Sequence, residues 1–144
     1  MENQNNGMQL EEVAKDYLRE SAKWSMFLAI LGFIGIGFLA LLAIIMTSVM
    51  SMAPETPSPF GAIKGFVSII YLVFAIIYLF PIYYLYKYAA STKKALNSGN
   101  TQLLTKAFSN LKSHHKFLGI ASIIIIALYI IGAIVMVIGY SAIM

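Results

Sequence analysis

Few residues in this 144-residue chain can carry chemistry, and their spacing brings little of it together. Cysteine is absent and the two histidines are adjacent, His114-His115. Neighbouring positions on a helix point about 100° apart, so this pair is a poor joint ligand for one metal ion. The segment around it, from Thr101 to Lys116, supplies no Asp, Glu or Cys to complete a site. No glycine-rich phosphate loop, nucleophile elbow or HExxH pattern appears. Serines, tyrosines and lysines recur, but no spacing among them selects a nucleophile and its base. The expectation is a non-enzymatic protein with no catalytic residues, no metal and no cofactor. Without thiols there is also no disulfide and no redox compartment to infer.

The elements that hold these residues are dominated by three apolar runs. The central one spans Phe60 to Tyr88, and from Gly65 to Tyr86 it contains no Asp, Glu, Lys, Arg or His. Trp24 to Met50 and Phe117 to Met144 are equally free of those residues. Each run exceeds the roughly 20 residues a helix needs to cross a bilayer. Lipid offers no partner for backbone polar groups, so single spans must be helical. The predicted fold is therefore an all-α integral membrane protein with transmembrane helices at 24–50, 60–88 and 117–143, in a single membrane domain covering 8–144. A composition of 60% hydrophobic and 11% charged residues excludes an ordinary soluble domain. The first run follows 23 mostly polar residues and is too long for the apolar core of a cleavable signal, which predicts an uncleaved signal-anchor helix.

The polar segments read as follows. Residues 1–7 are Asn-rich and without periodicity, and are expected to be disordered. Over 8–23, Leu10, Val13, Ala14, Tyr17 and Leu18 share one side and charged residues the other, which predicts an N-terminal amphipathic helix. It either lies at the interface or extends the first span into water. Ser51 to Pro59 form a Pro-rich loop, with Ser58 as a cap and Pro59 at the first helical position. Lys64 would snorkel back to the headgroups. The central helix is expected to reach about residue 97, where Asn97-Ser98-Gly99-Asn100 stops it. A short amphipathic helix over 101–114, capped by Asn100 or Thr101, then forms an interfacial elbow before the third span.

Small residues mark candidate packing faces. In the first span Ser25, Ala29, Gly32, Ile36, Ala40, Ala43 and Thr47 recur every three or four residues. The third span offers Gly119, Ser122 and Gly132. Such stripes let helix backbones approach closely in lipid, either within the chain or between chains. Pro81 removes one backbone bond and predicts a kink, read as fixed shape ahead of a moving hinge. Trp24, Lys87, Lys93, Lys94, Lys112 and Lys116 are candidate contacts for lipid headgroups. Lys87 sits in a belt of tyrosines at 83, 84, 86 and 88.

The net charge of +4 could suggest nucleic acid, but the charges flank apolar spans, which makes the lipid bilayer the expected counterpart and not nucleic acid. Lys15, Arg19 and Lys23 precede the first span. Lys87, Lys93, Lys94, Lys106, Lys112 and Lys116 lie between the second and third, which leaves only Lys64 opposite. The positive-inside rule then predicts a cytoplasmic N-terminus and a periplasmic C-terminus.

The stretches SAKWSMFLAILGFIGIG, FPIYYLYKY, KKALNSGN and LTKAFSNLKSHHKFLGI together resemble a domain-of-unknown-function family of small three-span inner-membrane proteins found mainly in Bacteroidota. The resemblance covers Leu18 to Tyr129. It implies a bacterial inner (cytoplasmic) membrane and supplies no activity and no functional residues.

Spans without ionisable groups offer no proton or ion relay. The leading expectation is a protein that acts by association, either as an accessory subunit of another membrane protein's complex or with itself as a homo-oligomer. An alternative is a homo-oligomeric pore lined by Ser25, Thr47, Ser68, Ser122 and tyrosine hydroxyls. A further alternative makes the basic 87–116 connection a sensor of anionic lipid or curvature.

Overall fold

The computed structural model describes residues 10–52 and 59–141, apart from the side chains of 59–65 and 68. Those residues form three long helices and no strand: α1 (Glu12–Met52), α2 (Pro59–Ser98) and α3 (Thr101–Ser141). Residues 1–7, the Ser58 cap, the Lys64 and Ser68 side chains and the last three residues lie outside the described residues. Pro59 opens α2, as expected of a residue whose missing N–H costs nothing at a helix start.

Each helix is long and apolar enough to cross a membrane. At 41, 40 and 41 residues, each is about 60 Å long, against roughly 30 Å of hydrocarbon. The amphipathic stretch before Trp24 continues into the first span, as one of the two readings had it, but the expected elbow is missing: the stretch 101–114 is continuous with the third span. The reason is local. Neither Gly nor Pro occurs between Glu12 and Leu31, or between Thr101 and Leu118. A break there would strip hydrogen bonds from up to four N–H and four C=O groups with no turn residue to replace them.

The stop between α2 and α3 lies where the Asn-Ser-Gly-Asn sequence puts it. Gly99 has φ of +63°, a left-handed conformation that side chains resist. The Asn100 N–H returns to the Ala95 carbonyl at 3.2 Å, closing a Schellman cap. Asn100 then starts α3. Its Oδ1 accepts from the N–H groups of Gln102 (2.9 Å) and Leu103 (3.2 Å). One residue thus ends one helix and caps the next.

α2 lies in the middle, with α1 packed on it from one side and α3 from another; among the described residues α1 and α3 do not meet. Contacts between α1 and α2 run antiparallel, from Ser21 with Tyr88 to Gly32 with Ile82. The buried residues are mostly alanines: Ala22, Ala29 and Ala43 on α1, Ala75, Ala89 and Ala95 on α2, and Ala107 on α3. Small side chains bring backbones together where lipid supplies no hydrophobic drive. Larger apolar residues point outward along all three helices, the pattern that a hydrocarbon surrounding would favour.

Candidate functional site

The polar ends of the three helices come together beside the α2–α3 hairpin. Tyr88, Ala89, Thr92 and Ala95 of α2 are buried there between Ala22 of α1 and Ala107 of α3. Tyr88 and Ser21 share a hydrogen bond between their hydroxyls at 3.3 Å, across α1 and α2. Thr92 is fully buried, yet its hydroxyl has no partner among the described residues.

The candidate headgroup residues surround this cluster. Trp24 is exposed and meets Phe27 edge to face at 6.0 Å. The Lys87 ammonium sits 4.8 Å from the centre of the Tyr83 ring, a cation–π contact. Lys93, Lys94, Lys112 and Lys116 are exposed and make no ion pair among the described residues. On the first turns of α1, Lys15 pairs with Glu12 and Arg19 with Asp16 at 3.1 Å. The Lys15 hydrogen bond and charge hold the Glu12 carboxyl below its ordinary range.

Between the polar ends of α1 and α2 runs a groove of about 270 Å³. Its floor is Ala22 and Ala89, both buried, and its walls are Met26 and Leu96. Arg19, Lys23 and Lys93 stand at its rim. Sequence reasoning singled out Lys93 but not its company, because that depends on the register of α1 against α2. The spacing of 19, 22, 23 and 26 on one helical face was the available signal.

Neither histidine is placed as a ligand beside acidic groups, and no cluster of three metal-binding side chains occurs among the described residues. His114 reaches across to α2, where its Nδ1–H donates to the Pro81 carbonyl at 2.7 Å. A carbonyl only accepts, so Nδ1 carries a proton. Beside this bond Phe80 and Phe117 stack with centroids 6.3 Å apart. His115 Nδ1–H donates to the Leu111 carbonyl, 2.9 Å away in its own helix. The helix runs through Pro81 without interruption, and α3 braces it there.

The small-residue positions divide into two groups. On α1, Ala29 and Ala43 are buried, and Ser25, Gly32 and Ala40 are half-buried. Gly32 is the closest approach, since a Cβ there would meet three side-chain atoms of Ile82 within 3.0 Å. On α3, Ser122 is exposed, and a Cβ at Gly119 or Gly132 would find no atom within 4 Å. Among the described residues nothing approaches these glycines. Of the hydroxyls considered as a pore lining, Ser25 faces the α1–α2 seam, Thr47 donates to the Ala43 carbonyl, and Ser122 is exposed on α3. No family model, curated protein or solved structure matches the chain.

Proposed function

We propose that the chain is a non-enzymatic membrane protein that works by association, using the apolar half of α3 as its docking surface. On this reading it sits in a bacterial inner membrane, with the N-terminus and the α2–α3 hairpin in the cytoplasm and the C-terminus in the periplasm. The basic residues gathered at the hairpin end support that orientation. One observation carries the functional reading. From Ser122 to Ser141 every residue of α3 is exposed, and Gly119, Gly132 and Gly139 have open space where a neighbouring backbone would fit. The equivalent small positions of α1 are already occupied by α2. A helix placed on α3 would gain the close packing that holds α1 to α2. Its source is either an accessory-type complex with another membrane protein or a second copy.

The absence of native cysteine makes the test clean. Gly132→Cys, oxidised in native membranes, is expected to yield a disulfide-linked dimer or a mixed product, and native mass spectrometry in mild detergent identifies which. A Cys placed at Ile34, on the exposed side of α1, serves as the control. A monomer of 15.9 kDa with no cross-link at either position would overturn the proposal.

A further inference from the structure

We infer that the groove between the polar ends of α1 and α2 is a binding site for one anionic phospholipid. Helix periodicity sets its profile along the bundle. Arg19, Met26 and Phe33 are seven apart on α1, and Tyr86 and Lys93 are seven apart on α2, so each set falls on one face. The two faces converge, as the Phe33 and Tyr86 rings meet edge to face at 6.1 Å. From the hairpin end inward the shared surface therefore changes from cationic (Arg19, Lys23, Lys93) to alanine and methionine, and then to aromatic. A phospholipid has the same order: phosphate, glycerol, acyl chain.

Charge settles which lipid. No Asp or Glu lines the groove. Lys23 and Lys93 make no ion pair or hydrogen bond among the described residues, and only Arg19 is shared with a carboxylate, Asp16. Two uncommitted ammonium groups from different helices face one volume, which favours a phosphate bearing net negative charge over a zwitterionic headgroup. The level fits as well. Met26 lies just inside the first apolar run and Ala89 just beyond the second, next to the exposed Trp24. The site differs from diffuse attraction to a basic surface because it has walls, a buried floor and a defined depth.

The inference rests on the chain's lying in a bilayer but not on any protein partner. The test uses the full chain purified in dodecylmaltoside and offered dioleoylphosphatidylglycerol or dioleoylphosphatidylcholine, with bound lipid read by native mass spectrometry. Wild type is expected to retain one phosphatidylglycerol in preference to phosphatidylcholine. The Lys23→Gln/Lys93→Gln variant should lose that retention by roughly twentyfold or more, from the surface attraction of two lysines. Lys106→Glu lowers the net charge by the same two units, on α3 and outside the groove, and should leave retention unchanged. Met26→Trp fills the groove without touching its charge and should also abolish retention. Equal losses in Lys106→Glu and the lysine pair, or undiminished retention in Met26→Trp, would overturn the site in favour of diffuse attraction. Alkaline carbonate extraction of cell membranes tests the bilayer premise separately: release into the supernatant would sink the premise and the site with it.

Discussion

Replacing Gly32 by alanine puts the α1–α2 seam under direct stress. The added Cβ would lie 2.5 Å from Ile82 Cδ1, 2.7 Å from Cγ1 and 3.0 Å from Cγ2. Ile82 is β-branched, stiff at χ1 and buried, so it has no easy rotamer to retreat to. Overpacking of this kind costs about 1–3 kcal/mol, and three crowded atoms argue for the upper part of that range. Alanine returns about 1 kcal/mol through its better helix propensity. The net expectation for Gly32→Ala is a loss of about 1–2 kcal/mol. Gly35→Ala, three residues away with nothing within 4 Å of its Cβ, collects only the propensity gain and should be stabilised by up to about 1 kcal/mol. Removing the crowded atoms should rescue the clash: Gly32→Ala combined with Ile82→Ala is expected to be more stable than the sum of the single changes by about 1–2 kcal/mol. Unfolding by SDS in mixed micelles, followed by circular dichroism, reads wild type, the three single variants and the double variant. Equal stability of Gly32→Ala and Gly35→Ala, or strict additivity in the double variant, would refute the close approach at Gly32.

Three further outcomes follow from other features. Thr92→Val keeps the shape of a fully buried side chain and removes a hydroxyl without a partner, so it should raise SDS resistance by about 1 kcal/mol; a loss would show that the hydroxyl is satisfied. Asn100→Ala deprives Gln102 and Leu103 of their cap and should cost about 1 kcal/mol, with faster protease nicking at the hairpin as the readout. The Glu12 carboxyl is held below its ordinary 4.5 by Lys15, so its contribution to the first turn of α1 is complete above that value. It fades as pH falls through the lower native value, and amide exchange over the first turns should rise there in wild type but not in Lys15→Gln.

Much of the fold was legible in the sequence. The three spans followed from runs without ionisable residues, and the α2–α3 turn from Asn-Ser-Gly-Asn, because both signals are local. The continuity of α1 through Lys23-Trp24 was one of two readings the sequence left open. The elbow before Phe117 was a misreading: a change from amphipathic to uniformly apolar sequence looks like a boundary, although nothing there breaks a helix. Pairings across helices were not legible at all. That Arg19, Lys23 and Lys93 share a groove, and that His114 reaches the Pro81 carbonyl, depends on register and rotation, which periodicity within one helix leaves open. The α1 stripe was readable as a packing face, but its occupation by α2 and the vacancy of the matching positions on α3 were not.

The hairpin geometry has a mechanical consequence. α3 is joined to α2 through Gly99 and Asn100 alone, and His114 and Phe117 hold it near Pro81. Beyond Ala121 it continues to Ser141 as about 30 Å of helix whose residues are exposed throughout. Such a rod is a lever whose fulcrum lies among the polar ends. A tilt of about 10° at the His114–Pro81 brace would swing the far end, about 40 Å away, by roughly 7 Å, more than one helical turn's rise. A rearrangement at the hairpin end would therefore be felt at the far tip of the helix.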